Sequence, residues 1–294
     1  MRFFLEEAVE YGIATTVAPG IRRVMANNPG PFTYHGTGTY IVGSGNVAVI
    51  DPGPSLTEHV DALVSELEGE RVEHILITHT HLDHSPAAAL LKNKTGSPTY
   101  GFGPHGADKG PAVEEGADYN FVPDIALLDG HIIEGDGYTF EAIHTPGHTS
   151  NHVCFELKGT GILFSGDHVM GWSTTVVSPP DGDMAVYRAS LKSLIGRDND
   201  TYLPTHGPKI IDPQSHLNSL IAHRDSRESS ILDCLENKKS KIHDIVKELY
   251  KDLDPRLHKA AQRSILAHLI QLINEGKITA DNANVGVNSE FKLR

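Results

Sequence analysis

The sequence predicts a mixed α and β chain, a body of strands and helices followed by a small, mainly helical tail. Three observations lead there. Short runs rich in Val and Ile, broken by Gly and Pro, recur up to residue 213. Strand-like and helix-like patterns alternate from residue 47 to residue 92, the order of a strand–helix–strand layer. Beyond residue 213, apolar positions recur at helical spacing almost to the end.

Residues 17–26, 39–42 and 47–50 read as short strands separated by Gly-rich turns. The Gly36/Gly38 and Gly43/Gly45 pairs do not form a dinucleotide fingerprint and suit hairpin turns. Asp51-Pro52-Gly53-Pro54 ends a strand, and Ser55 is placed to cap a helix carrying Leu56, Val60, Leu63, Val64 and Leu67. Residues 71–78 form the next strand, and Ser85-Pro86 opens a second helix through Lys92. Residues 101–123 hold five glycines and read as a loop, either at a site mouth or a plain surface excursion. His152, Cys154 and Glu156 alternate with Val153, Phe155 and Leu157, the pattern of a half-buried strand. Residues 214–236 suit one helix, with Leu217, Leu220, Ile221, Ile231, Leu232 and Leu235 as its apolar positions. Ile242, Ile245, Val246 and Leu249 suit another. Asp254-Pro255 starts a third, with Gly276 as its stop.

The chemistry concentrates in Thr78-His79-Thr80-His81-Leu82-Asp83-His84, which follows the apolar run Ile75-Leu76-Ile77. A buried strand running into a loop can aim several side chains at one point, and imidazole with carboxylate suits zinc and related metals. A lone His is usually a surface or core residue; His-x-His-x-Asp-His is far more specific. Three more candidates recur in turn-rich frames after apolar stretches: His148 in Thr145-Pro146-Gly147-His148-Thr149, Asp167 in Phe164-Ser165-Gly166-Asp167, and His206 in Pro204-Thr205-His206-Gly207-Pro208. Gly beside a ligand permits a sharp turn and leaves the approach open. His144 and His152 suit supporting or core roles instead. The bland alternative is scattered surface histidines, since the chain has 18.

These ordered motifs resemble the metallo-β-lactamase superfamily of binuclear metal hydrolases as far as about residue 213. The resemblance implies an αββα sandwich, two sheets face to face with helices outside. It places His79, His81 and His148 on one metal and Asp83, His84 and His206 on a second, with Asp167 bridging both. Two Zn²⁺ are the expected cofactors, with manganese or iron as alternatives because the set has no Cys. Two metals about 3.5–4 Å apart share a water and lower its pKa toward ~7, giving a hydroxide nucleophile. Asp83 is the candidate for proton transfer to the leaving oxygen.

His223-Arg224, Arg227-Glu228 and residues 242–294 narrow the likeness to the lactamase-beta-2-like subfamily. That implies a catalytic domain over residues 1–213, a connecting helix over 214–236 and a winged-helix-like domain over 237–294. Ile278 and residues 291–293 would form its wing hairpin. Two departures stand out. The subfamily's Thr-Asn-Thr-Tyr is Thr37-Gly38-Thr39-Tyr40 here, and its Gly-His-Gly is Thr205-His206-Gly207. The first puts any substrate contact of that Asn in doubt; the second leaves the ligand in place.

Composition bounds the substrate. The net charge is −13, yet residues 237–294 carry 11 Lys/Arg against 7 Asp/Glu, a tail of +4 on an acidic body. Two distant cysteines, Cys154 and Cys234, read as free thiols of a reducing compartment, and neither a signal peptide nor a membrane span is expected. The expectation is a cytoplasmic hydrolase without a membrane partner. One reading is an endoribonuclease on single-stranded RNA, with Lys238, Lys239, Lys241, Arg256, Lys259 and Arg263 tracking phosphates. The alternative is a thioesterase or lactonase, hydroxyacylglutathione hydrolase-like, on a small acyl substrate. The tail would then pack against the site rim or form a homodimer contact. A β-lactamase is disfavoured because the resemblance associates a bridging Asp with other activities. A non-catalytic binding protein is disfavoured because structural metal sites are usually closed and mononuclear.

Overall fold

The computed structural model describes residues 3–6, 8–106, 116–251 and 253–294. The loop expected over residues 101–123 therefore lies partly outside the described residues. The first half of the body runs β1 (Ala14–Ala18), β2 (Ile21–Met25), β3 (Gly38–Ser44), β4 (Asn46–Ile50), α1 (Thr57–Glu66), β5 (Arg71–Leu76), α2 (Ala87–Thr95), β6 (Thr99–Gly101) and β7 (Ile125–Ala126). These strands make one seven-stranded sheet in chain order. Strands β1 to β4 pair antiparallel through tight turns. From β4 to β7 the pairing is parallel, as crossovers through α1, α2 and the 102–124 connection require.

The second half runs β8 (Ile132–Gly135), β9 (Tyr138–His144), β10 (Val153–Leu157), β11 (Ile162–Gly166), α3 (Met184–Ser193), β12 (Thr201–Pro204) and β13 (Ile210–Ile211), then α4 (Pro213–Glu236). Its six-stranded sheet is ordered β13-β12-β11-β10-β9-β8, with one parallel pair, β11 and β12, spanned by α3.

Side-chain alternation stacks these pieces into four layers. Tyr40, Val42, Ala48, Ile50 and Leu76 face Phe140, Phe155 and Phe164 between the sheets. Their neighbours Ile41, Val47, Val49 and Ile75 face outward onto Leu63 of α1 and Leu91 of α2. On the far side, Cys154 and Leu163 meet Tyr187 and Leu191 of α3 and Leu217 and Leu220 of α4. This is the αββα sandwich the resemblance implied.

Several local expectations are corrected. Residues 17–26 are a hairpin and not one strand: Ala18 pairs with Ile21 around Gly20, whose φ of +71° suits glycine. Ser55 does not cap α1, because extended Leu56 takes the cap position and no side chain supplies the bond. Strand β10 is covered on both faces rather than half-buried, since α3 and α4 lie over the side that bears Cys154. Helix α3, capped by Asp183 accepting from the Val186 N–H, was not expected.

The tail comprises α5 (Ile242–Leu249), a 3₁₀ turn (Pro255–Leu257), α6 (His258–Asn274) and the antiparallel pair β14 (Ile278–Ala280) and β15 (Phe291–Leu293). Asp254 accepts from the Arg256 N–H to start the turn, and Gly276 follows the end of α6 with φ +74°. Helix α4 serves two cores: Leu217 and Leu220 lie in the sandwich, Ile231 and Leu235 in the tail. Cys154 and Cys234 are free thiols in these separate cores. No described helix is long and apolar enough to cross a membrane.

His59 on α1 is buried behind β3, its Nε2–H donating to Thr39 Oγ1 at 2.9 Å, while that hydroxyl donates to the Asp51 carbonyl. Burial pushes its pKa down from 6.5 to about 4, against the Pro52 carbonyl and Glu58. The unfolded chain therefore binds the extra proton first, and stability falls as pH drops from about 6.5 towards about 4. His59→Gln should remove about 2 kcal/mol of the loss between about pH 7 and pH 5. Urea unfolding of both proteins at the two pH values checks this; equal losses would assign the acid sensitivity elsewhere.

Candidate metal centre

Each candidate ligand stands just beyond the end of an inner strand or helix-capped turn, on the same edge of the sandwich. His79, His81, Asp83 and His84 follow β5, His148 follows β9, Asp167 follows β11 and His206 follows β12. The structure brings all seven together. The ligand atoms of His79, His81 and His148 form one group, those of Asp83, His84 and His206 another. Asp167 groups with His79 and His84, one residue from each triad.

In the first triad, His81 Nδ1 lies 2.9 Å from His79 Nε2 and 3.1 Å from His148 Nε2. The opposite nitrogens show which atoms carry protons. His148 Nδ1–H donates to the Val176 carbonyl at 2.6 Å, and His79 Nδ1–H donates to Thr78 Oγ1 at 3.1 Å. Lone pairs thus converge at hydrogen-bond distance, an arrangement a cation between them resolves. In the second triad, His206 Nε2 stands 3.0 Å from Asp83 Oδ2, and His84 Nε2 stands 3.4 Å from the same atom. Asp167 Oδ2 is 3.6 Å from His84 Nε2 and 3.5 Å from His206 Nε2. His84 Nε2 and Asp167 Oδ1 are buried with no hydrogen-bond partner among the described residues. Orphaned buried donors and acceptors of this kind fit a divalent metal pair.

The two triads differ electrostatically. Burial, then the neighbouring imidazoles, hold His79 and His81 well below the usual histidine range. Burial lowers His148 as well, against Asp167. Burial acts the same way on His84 and His206, but Asp83, Asp167 and, for His84, Asp51 outweigh it. His84 sits well above the usual range and His206 is pushed up to about 10. Asp83 and Asp167 are held far below the carboxylate range by these rings, despite burial. Negative charge is concentrated on the second triad.

Residues behind the ligands set the geometry. Asp51, 1% exposed, accepts from the Thr78 N–H, Thr78 Oγ1, His84 Nδ1 and Thr205 Oγ1, at 2.7–3.0 Å. His206 Nδ1–H donates to the Gly36 carbonyl at 3.0 Å. His152 takes the supporting role expected of it, donating from Nδ1 to Thr145 Oγ1 and accepting the Asp167 N–H at Nε2. His144 faces away, stacked on Phe102. The sequence reading missed Asp51, although Asp51-Pro52-Gly53 closes a strand just as the ligand motifs do. Thr205, which looked neutral, gives that hub a fourth donor. Gly38 leaves no room for the absent Asn: a Cβ there would stand 2.9 Å from Cδ of Arg23. Arg23 pairs with Glu6 and donates to the Gly207 carbonyl, bracing the turn after His206.

Gly147, before His148, is fixed by close approach. With φ +130°, a Cβ there would lie 2.3 Å from the Tyr187 backbone. Gly147→Ala is expected to cost about 2–4 kcal/mol and to displace His148. Thermal unfolding and metal content check this, and an unchanged midpoint would contradict it.

Residues 34–206 match the metallo-beta-lactamase superfamily, and residues 242–284 match the beta-lactamase associated winged helix domain. The chain belongs to the metallo-beta-lactamase superfamily. A Caenorhabditis elegans beta-lactamase-like protein 2 homolog is 31% identical over 271 residues, covering 89% of this chain and 87% of that one. An atrochrysone carboxyl ACP thioesterase of Claviceps purpurea is 30% identical over 243 residues, covering 80% and 73%. A metallo-beta-lactamase family protein from Thermus thermophilus superposes with a TM-score of 0.77 at 22% identity, covering 95% of this chain and 100% of that one. Like other members of the superfamily, this chain is a metal-dependent hydrolase, and it carries a C-terminal winged helix domain.

Proposed function

We propose that this chain hydrolyses a thioester or ester of a small acyl group. His79, His81 and His148 would hold one Zn²⁺, Asp83, His84 and His206 a second, and Asp167 would touch both. The observation that carries this reading is Asp167, grouped with one residue of each triad and left with a free buried oxygen. When bound, such a pair supplies Lewis acidity toward water and toward the attacked carbonyl. The protein's part is orientation. Asp51 fixes the His84 ring, and the Val176 and Gly36 carbonyls fix His148 and His206. Asp83 accepts from Thr37 Oγ1 at 3.3 Å and lines a cleft of about 220 Å³ with His81, Leu82 and Thr33. A carboxylate in that cleft would take the proton lost by the attacking water and hand it to the leaving sulfur or oxygen.

Support for the acyl reading over RNA comes from the relatives named as acyl carrier thioesterases and from the tail. Lys239, Lys241 and Arg256, three of the expected phosphate contacts, pair with Glu248, Glu290 and Asp254. Such exposed pairs are weak, so a polyanion could compete for them. Lys238 and Lys259 are exposed on the same domain and keep RNA as the second reading.

A paired assay decides. Metal-loaded protein should turn over small acyl thioesters and leave single-stranded RNA intact. Metal-dependent RNA cutting without thioester turnover would reverse the assignment.

A further inference from the structure

A second cavity, of about 140 Å³, shares Pro31, Phe32 and Asp167 with the cleft that Asp83 lines. His148 and Asp167 close its inner end, and Tyr250, Leu257 and Ala260 of the winged helix domain form its outer wall. Cavities of about 150 Å³ lined by aliphatic side chains hold one benzene ring, which bounds the guest here to about six carbons.

Among the apolar and hydroxyl side chains of that lining stands one buried cation. Arg224 of α4 is 2% exposed. Its guanidinium donates to the Thr175 carbonyl and lies 5.2 Å from the centre of the Tyr187 ring, while its Nε has no partner among the described residues. The acids nearest in sequence, Asp225 and Glu228, are both engaged by Arg188. Arg227, over the Tyr250 ring, adds a second positive charge, and burial together with these cations keeps His223 and His268 neutral. A buried cation without a counter-charge costs several kcal/mol, which an anionic guest offsets.

We propose that this cavity binds the acyl side of the substrate, and that it selects a short acyl group ending in a carboxylate that pairs with Arg224. The assignment rests on the thioester reading and adds the acyl class to it. Product and substrate carboxylates are then distinguished by position, one at the metal centre and one at Arg224. The winged helix domain becomes the substrate gauge.

The test uses full-length, metal-loaded protein and acetyl, hexanoyl and glutaryl thioesters of one thiol. Glutaryl should exceed acetyl in kcat/KM by about tenfold or more, the scale of one satisfied buried polar contact. Leu257→Trp should cut hexanoyl and glutaryl turnover by about tenfold and spare acetyl, as loss of pocket space does. Arg224→Met should erase the glutaryl advantage while hexanoyl is kept; an equal fall on all three would mean that Arg224 only braces Thr175, and would overturn the carboxylate assignment. Calorimetric titration gives a readout apart from turnover. Glutarate should bind more tightly than acetate to the wild type, and equally in Arg224→Met. If no thioester is hydrolysed yet glutarate binding depends on Arg224, the thioester reading falls and the pocket stands. If all three thioesters react alike and glutarate binds no better than acetate, the pocket assignment falls.

Discussion

Replacing His81 or Asp167 with Ala is expected to lower hydrolysis by on the order of 10³-fold or more while leaving the fold intact. Each change removes a ligand atom from a converged cluster, and the Lewis acidity at stake is several kcal/mol of transition-state stabilisation. His81 supplies Nδ1 within 3.1 Å of two other imidazole nitrogens, so no neighbour can stand in for it. Asp167 groups with members of both triads, so its loss affects both. Neither side chain belongs to the hydrophobic cores, which explains the expected folding competence. Metal content, far-UV circular dichroism and turnover on one thioester suffice as measurements. Wild-type turnover in both variants would remove the seven-residue site from consideration.

Asp51→Ala should be the most damaging single change outside the ligand set. Asp51 is buried and gathers four donors from two separate segments, three from Thr78 and His84 of the 78–84 loop and one from Thr205. Removing it leaves those donors unpaired in a dry interior, a loss of about 3–5 kcal/mol by analogy with broken buried pairs. Freeing the His84 ring should also weaken metal binding by about 10–100-fold, the usual scale for partners behind a ligand. Denaturant midpoint and competition against a chelator measure the two effects separately. A variant with normal stability and normal metal affinity would show that Thr78 and Thr205 hold the loop unaided.

The candidate ligands were legible because each follows an apolar stretch, three of them beside glycine, and the resemblance these motifs carry supplied their grouping. The sandwich was legible through the resemblance those motifs carry, and runs such as Val47 to Ile50, apolar at every position, fit its sheets covered on both faces. Hidden features depended on pairing across sequence. Asp51 resembles any turn aspartate until Thr78, His84 and Thr205 fold around it. The tail's surplus of Lys and Arg suggested an open cationic face, yet Lys241 meets Glu290 and Lys277 meets Glu228, partners that a running charge count cannot reveal. Helix α3 is short and mixes Met184, Tyr187 and Leu191 with charged residues, so its apolar stripe becomes evident only against the second sheet. Residues 107–115, within the stretch expected as a loop at the site mouth or as a plain surface excursion, lie outside the described residues.

Helix α4 is anchored in one core by Leu217 and Leu220 and in the other by Ile231 and Leu235, so one continuous helix joins the two halves. Its 24 residues act as a shaft whose phase sets what faces the metal centre. Adding or deleting one residue between the two anchor points would turn the far end by about 100° and shift it by about 1.5 Å along the axis. The seven ligand atoms, all carried by segments that precede α4, would stay where they are, while the wall formed by Tyr250, Leu257 and Ala260 would be swung away. Reactivity and choice of guest are therefore stored on opposite sides of a single rotational register.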